Sequence, residues 1–198
     1  MISAAEASSL QIVHEGRVWK FGASVDTTQL AGGGLVGRSA DESLRINCLR
    51  ALRPEFTENV GPGDVLVAGR NFGCGSSRQQ AVTALQLCGI SVVLAESVAR
   101  IHRRNSIAFA FPTLSVPGIS EFAEDGDDVI VDYPKGVVTN RTRGGEIAIP
   151  RLSPRVEEIY AAGGLAALVA ARLAAMGHLP DHPEGLDSET PWTPGGHS

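Results

Sequence analysis

No apolar run in this 198-residue sequence approaches the roughly 20 residues that a membrane-spanning helix requires. The N-terminal residues lack the basic segment and apolar block of a signal peptide, so a cytoplasmic protein with no membrane association is expected. Positive charge is also scarce, with 17 Lys and Arg against 22 Asp and Glu and a formal net charge of -5. That balance argues against a nucleic-acid binder, because phosphate affinity comes mainly from clustered basic residues. Only three cysteines occur, Cys48, Cys74 and Cys88, with no CxxC or Cys/His metal spacing among them. Neither a disulfide framework nor a self-contained metal site is expected, and no metal ligand is assigned. No internal repeat is present either. What the chain does have is 43% hydrophobic residues, enough to bury a substantial core in one domain.

Its organisation follows from short-range patterns. Residues 1–11 are small and polar without a period and read as a flexible arm, and residues 178–198, rich in Pro, Gly and charge, read as a disordered tail. Residues 12–177 are the expected folded domain. Within it "GRVWKFG" reads as a short strand, while "DTTQLAGGGLVGRSADES" is too rich in glycine for a regular element and precedes a helix over "DESLRINCLRAL". "DVLVAG" and "ISVVLA" are short continuous apolar runs, the pattern of parallel strands buried on both faces. Between them Ala81, Ala84, Leu85 and Cys88 share one helix face, with Gly89 as the stop. The unit is β-loop-α-β, which makes the fold class α/β. A helix over "SVARIHRRNSIAFAF", hairpin strands in "VIVDYPKGVVTN" and "GEIAI", and a final helix broken at Gly163 and Gly164 complete the expected order.

The stretch "NFGCGSSRQQA", residues 71–81, carries the chemistry. Gly73 and Gly75 lack a Cβ, so the backbone can turn tightly and approach a ligand closely. Ser76 and Ser77 stand at the expected helix start, where unpaired amides and the helix dipole favour an anion. Arg78 adds a planar fork suited to carboxylate. Together they suit a small carboxylate beside a hydroxyl whose alkoxide would be stabilised by amides and a cation. The pairs Ser76/Gln79 and Ser77/Gln80 also fit a capping box, which needs no ligand, and spacing alone does not decide between the two.

"NFGCGSSRQQA" followed by "GISVVLAESVARIHRRN" resembles the small subunit of the aconitase-like hydro-lyases, most nearly 3-isopropylmalate dehydratase. The likeness extends to "GRVWKFGASVDT", "PGDVLVAGRNFG" and "VTNRTRGGEIAIPRLSPRVEEIYAAGGL", and covers about residues 16–170. It implies a swivelling β/β/α domain of the aconitase C-terminal type, working with a large subunit that holds a [4Fe–4S] cluster on its own cysteines. No cofactor is then bound by this chain. The resemblance also implies that Ser76 is the catalytic base, that Ser77 and Arg78 bind substrate carboxylate beside Gly75, and that the substrate is a hydroxy polycarboxylic acid, as in the isopropylmalate isomerisation of leucine biosynthesis.

Departures from the family pattern bear on specificity. Thr28 in "DTT" stands where the family usually has a second Asp, so a role that depends on that carboxylate is lost or moved. Gly34 and Leu35 stand at the family's Tyr-Leu pair in the loop that selects the substrate. Gln79-Gln80 replaces the common Glu-His and is closer to homoaconitase-like members.

Other features read as structural. "GGGLVG", residues 32–37, fits GxGxxG but lacks a preceding strand and a well-placed acidic residue. Cys74 reads as a packed residue rather than a nucleophile, Arg100, Arg103 and Arg104 as a solvated helix face, and no histidine as a metal ligand. Two function classes remain: a hydro-lyase small subunit, or a catalytically silent relative that kept a carboxylate pocket for binding or regulation.

Overall fold

The two apolar runs on either side of the serine loop lie side by side in a mixed sheet. The structure, a computed structural model, describes residues 13–33 and 39–177; the expected arm and tail lie outside the described residues. Strand β1 (Val13–Phe21) is followed by three short helices, α1 (Thr27–Ala31), α2 (Ala40–Asn47) and α3 (Phe56–Asn59). Next come β2 (Val65–Ala68), α4 (Gln80–Leu87), β3 (Val92–Ala95), α5 (Arg100–Ala108) and β4 (Thr113–Ser115). The chain continues through α6 (Ile119–Phe122), β5 (Asp128–Asp132), β6 (Val137–Asn140), β7 (Glu146–Ala148), α7 (Pro154–Ala161) and α8 (Leu165–Ala175).

The strand order is β4-β3-β2-β1-β5-β6-β7. Strands β1 to β4 are parallel, each joined to the next through helix, and β1, β5, β6 and β7 pair antiparallel. Both faces of β2 and β3 are buried, which is why these strands are continuously apolar. Leu66, Ala68, Val93 and Ala95 join one core with Phe56, Phe72, Ala81 and Leu85. Val65, Val67, Val92 and Leu94 join the other with Ile119, Val129, Val131 and Val138. Phe56 is fully buried, edge-on to Trp19 at 5.0 Å and Phe21 at 5.6 Å between ring centroids. Truncating such a phenylalanine costs about 3–5 kcal/mol. The indole Nε1–H of Trp19 donates to Asp64 Oδ2 at 2.8 Å, and Gly61 N–H donates to the same carboxylate oxygen at 2.9 Å, tying β1 to the turn before β2.

The structure carries the α/β class and the β-loop-α-β unit, and it corrects details. A helix, α1, occupies part of the segment expected to be irregular, because Asp26 caps it: the Asp26 carboxylate accepts from Thr28 N–H and Gln29 N–H, while Asp26 N–H donates back to Gln29 Oε1. Helix α2 stops at Asn47, short of the expected Leu52, because Leu49 adopts φ 57 and leaves helical space. Gly163 (φ 80) and Gly164 (φ 128) break the last helix as expected, and α7 and α8 meet at 84°. Among the described residues no single helix is long and apolar enough to cross a membrane.

Candidate active site

Because β1, β2 and β3 are parallel, their C-terminal ends open onto one edge, where ligands bind in open α/β sheets. The loops leaving that edge are joined by main-chain bonds. Ser24 N–H donates to Arg70 O at 2.7 Å, Gly73 N–H to Val25 O at 2.8 Å and Thr27 N–H to Cys74 O at 2.9 Å, fixing the loop after β2 to the loop after β1. On its other side Phe72 N–H donates to Ser97 O at 2.9 Å and Ala99 N–H to Phe72 O at 2.8 Å. Five main-chain bonds therefore hold the segment that delivers Ser76, Ser77 and Arg78.

Both glycines turn the backbone with positive φ, and both pack closely against the protein. Gly73 has φ +72, and a Cβ there would stand 2.3 Å from Cγ of His102. Gly75 has φ +96, and its Cβ would meet Thr27 Oγ1 at 3.2 Å. A side chain at Gly73 would therefore push the loop off the sheet edge.

Ser76 and Ser77 are exposed, and neither caps the helix. Helix α4 begins at Gln80, its cap residue Gln79 is already helical, and no side chain accepts from its first amides. The capping-box alternative is corrected on that ground: both serines lie in the loop ahead of the first turn. Among the described residues the amides of Ser76, Ser77 and Arg78 donate to no backbone carbonyl, which leaves them as free donors. Arg78 Nε donates to Ser76 Oγ at 3.3 Å, placing a guanidinium against the hydroxyl. The Arg78 side chain also lines a cleft of about 430 Å³ with Ala31, Gly32, Ala40, Ser43, Leu44 and Gln80, formed where α1, α2 and the start of α4 meet. Ser77 Oγ lies 3.5 Å from Asn105 Nδ2, and both line a second cleft of about 360 Å³ that includes Ile101, Arg104 and Leu165.

Electrostatics at this edge favour an anion. Arg78 has no carboxylate partner among the described residues, nor have Arg100, Arg103 and Arg104, which are exposed on α5 as expected. Asp26 is committed to its cap, and Thr28 is exposed, so the early loop brings no free carboxylate to the serines. Thr27 is the reverse case, 1% exposed with an Oγ1 that has no hydrogen-bond partner. Behind the loop His102 is fully buried, edge-on to Phe72 at 5.2 Å, with neither ring nitrogen bonded. Burial lowers its pKa to about 4, so the ring is a neutral support at ordinary pH.

Gly34 and Leu35 lie outside the described residues. Gly32 caps α1, so the glycine run follows a helix where a dinucleotide fingerprint requires a strand. Cys74 is half-buried with Sγ 3.6 Å from Ser24 O, a packed residue within the loop pairing. Cys48 and Cys88 are buried at the ends of α2 and α4. Among the described residues no group of three or more His, Cys, Asp or Glu could hold a metal ion, so the residues present do not fit a cluster. Sequence reading missed Thr27, Asn105 and the support role of His102. Thr27 and Asn105 sit in unremarkable contexts, and only the fold brings Thr27 to Gly75 and Asn105 to Ser77.

Comparison with known proteins agrees with this geometry. Residues 55–117 match the aconitase C-terminal domain. The chain is similar to 3-isopropylmalate dehydratase small subunit 1 of Archaeoglobus fulgidus, at 44% identity over 150 residues, 76% of this chain and 92% of the relative. It is similar to the isopropylmalate/citramalate isomerase small subunit of Methanocaldococcus jannaschii, at 40% over 156 residues, 79% of this chain and 93% of the relative. A methanogen homoaconitase small subunit of Methanothermobacter thermautotrophicus is 40% identical over 150 residues, 76% of this chain and 86% of the relative. A crystal structure of 3-isopropylmalate dehydratase from Methanocaldococcus jannaschii superposes with a TM-score of 0.77 at 35% identity, covering 84% of this chain and 98% of that one.

Proposed function

Since the chain belongs to the family of 3-isopropylmalate dehydratase small subunits within the aconitase-like hydro-lyases, we propose that it interconverts 2-isopropylmalate and 3-isopropylmalate for leucine biosynthesis, together with a large subunit. The observation that carries this reading is the contact between Arg78 Nε and Ser76 Oγ on an exposed loop with free amides.

A serine hydroxyl is too weak an acid to act as a base unaided. The guanidinium beside Ser76 Oγ favours the alkoxide, which takes the proton from the substrate carbon next to a carboxylate. Negative charge then grows on that carboxylate. The remaining Arg78 donors, Ser77 Oγ–H and the loop amides hold it, and they are in place before the charge develops. The large subunit's [4Fe–4S] cluster supplies Lewis-acid activation of the departing hydroxyl when it is bound there. Neither subunit turns over alone.

The cleft beside Arg78 favours an alkyl-bearing acid over a tricarboxylate. Ala31, Ala40 and Leu44 give it apolar walls, and Arg78 is the only charged side chain among the described lining residues. A third carboxylate would lose its hydration there without a second cation in exchange.

The experiment is reconstitution with the cluster-loaded large subunit under exclusion of oxygen. Dehydration is followed by ultraviolet absorption of the unsaturated product for 3-isopropylmalate, citramalate and homocitrate. Turnover of an alkylmalate by the pair, and by neither subunit singly, is expected. Turnover of homocitrate alone would replace the alkyl reading, and no turnover of any hydroxy acid would leave a silent carboxylate-binding relative.

A further inference from the structure

Seven large apolar side chains are exposed among the described residues, and four of them lie together. Leu165 (45% exposed), Val169 (46%), Leu173 (37%) and Met176 (68%) follow one another along α8 and its cap. The first three are four residues apart, so they form one stripe on a single helix face. Arg172, off that stripe, is paired with Glu158 of α7, and Leu168 is the residue that α8 buries. The stripe borders a groove of about 790 Å³ whose floor includes Ala108 and Phe109 from the end of α5. Exposed apolar side chains gathered beside one groove form the kind of patch that marks an interaction site.

Its position says what covers it. The groove reaches Gln79, the residue after Arg78 that caps the site helix. Leu165 also lines the smaller cleft that holds Ser77, Ile101 and Arg104, and Ile101 is itself 37% exposed. The apolar surface is therefore continuous with the serine loop. A subunit that presents a cluster to substrate held at Ser76, Ser77 and Arg78 has to cover that loop, and the surface it meets next is the α8 stripe.

We infer that the α8 stripe and its groove are the seat of the cluster-bearing large subunit, an inference that rests on the function proposed above. The partner surface that fits has protruding apolar side chains for the groove and acidic groups on the rim, opposite the exposed Arg104 and Arg103. Gly164 makes this face possible: a Cβ there would stand 2.8 Å from Ala108 O, so the glycine lets α8 start hard against α5 and project its stripe beside the site.

Binding of the full chain to immobilised, cluster-loaded large subunit is measured by interferometry without oxygen, for wild type, Val169→Glu/Leu173→Glu and Val13→Ser. Val13 is 52% exposed at the far end of β1 and serves as the control. Wild type and Val13→Ser should bind equally, and the double variant should bind at least roughly 30-fold more weakly with an unchanged circular dichroism spectrum and melting temperature. If the double variant does not fold, Leu173→Ser replaces it, with a loss of roughly tenfold expected. A folded variant that binds within about 3-fold of wild type would overturn the inference and leave the proposed function standing. Wild type that fails to bind the large subunit would overturn the proposed function and the inference together. A wild-type homodimer dissociated by the double variant would put a second copy in the groove and overturn the assignment.

Discussion

Gly73 rests directly on His102: a Cβ on the glycine would stand 2.3 Å from the imidazole Cγ. The loop that carries the serines has no slack at this point, since the buried ring behind it is held edge-on by Phe72. Gly73→Ala combines a strained positive φ with a clash against an immobile group. It should lower the unfolding free energy by at least about 2 kcal/mol in a urea titration, and kcat of the reconstituted enzyme by roughly tenfold or more. Gly22→Ala, which meets nothing within 4 Å, is the control and should change neither.

His102 gives the fold a defined acid sensitivity. Its folded-state pKa of about 4 lies below the ordinary 6.5, so between those values the unfolded chain binds more protons than the folded one. The stability held by the neutral ring is fully present above about pH 6.5 and is lost as pH falls toward 4. His102→Phe keeps an aromatic ring against Phe72 and removes the titration. Unfolding free energies measured from pH 7 to 4 should fall less steeply for this variant, by on the order of 3 kcal/mol over the range. Parallel curves for the two proteins would show that the ring is hydrated or paired in solution.

Much of this site was legible because its signals are local. Gly73, Gly75, Ser76, Ser77 and Arg78 lie within six residues, and two buried strands announce themselves as apolar runs on either side. Signals that depend on distant partners were not legible. Thr27 meets Gly75, and Asn105 meets Ser77, only because parallel pairing brings the ends of β1, β2 and β3 together. Helix α1 was hidden by the glycines after it, although its Asp26 to Gln29 capping box is a short-range signal. The serines suggested a cap for α4, but the helix starts at Gln80 and leaves them free.

Arg78 touches Ser76 Oγ through Nε, and its two terminal nitrogens make no hydrogen bond among the described residues. Arg78→Lys retains a positive charge but loses the fork. KM should rise by roughly tenfold or more, because one ammonium cannot make two parallel bonds to a carboxylate. Steady-state kinetics of the reconstituted pair check this, and an unchanged KM would remove Arg78 from the substrate site.

Ser76→Ala in the reconstituted pair, assayed for deuterium incorporation at the substrate carbon in D2O, tests the role of this loop most directly. Ser76 is exposed and caps no helix, so the variant should keep its melting temperature and its affinity for the large subunit. With the proposed base removed, deuterium exchange and isomerisation should both fall below about a tenth of wild type, a barrier increase of at least about 1.4 kcal/mol. Exchange at more than about a tenth of the wild-type rate in a folded, assembled variant would contradict Ser76 as the base.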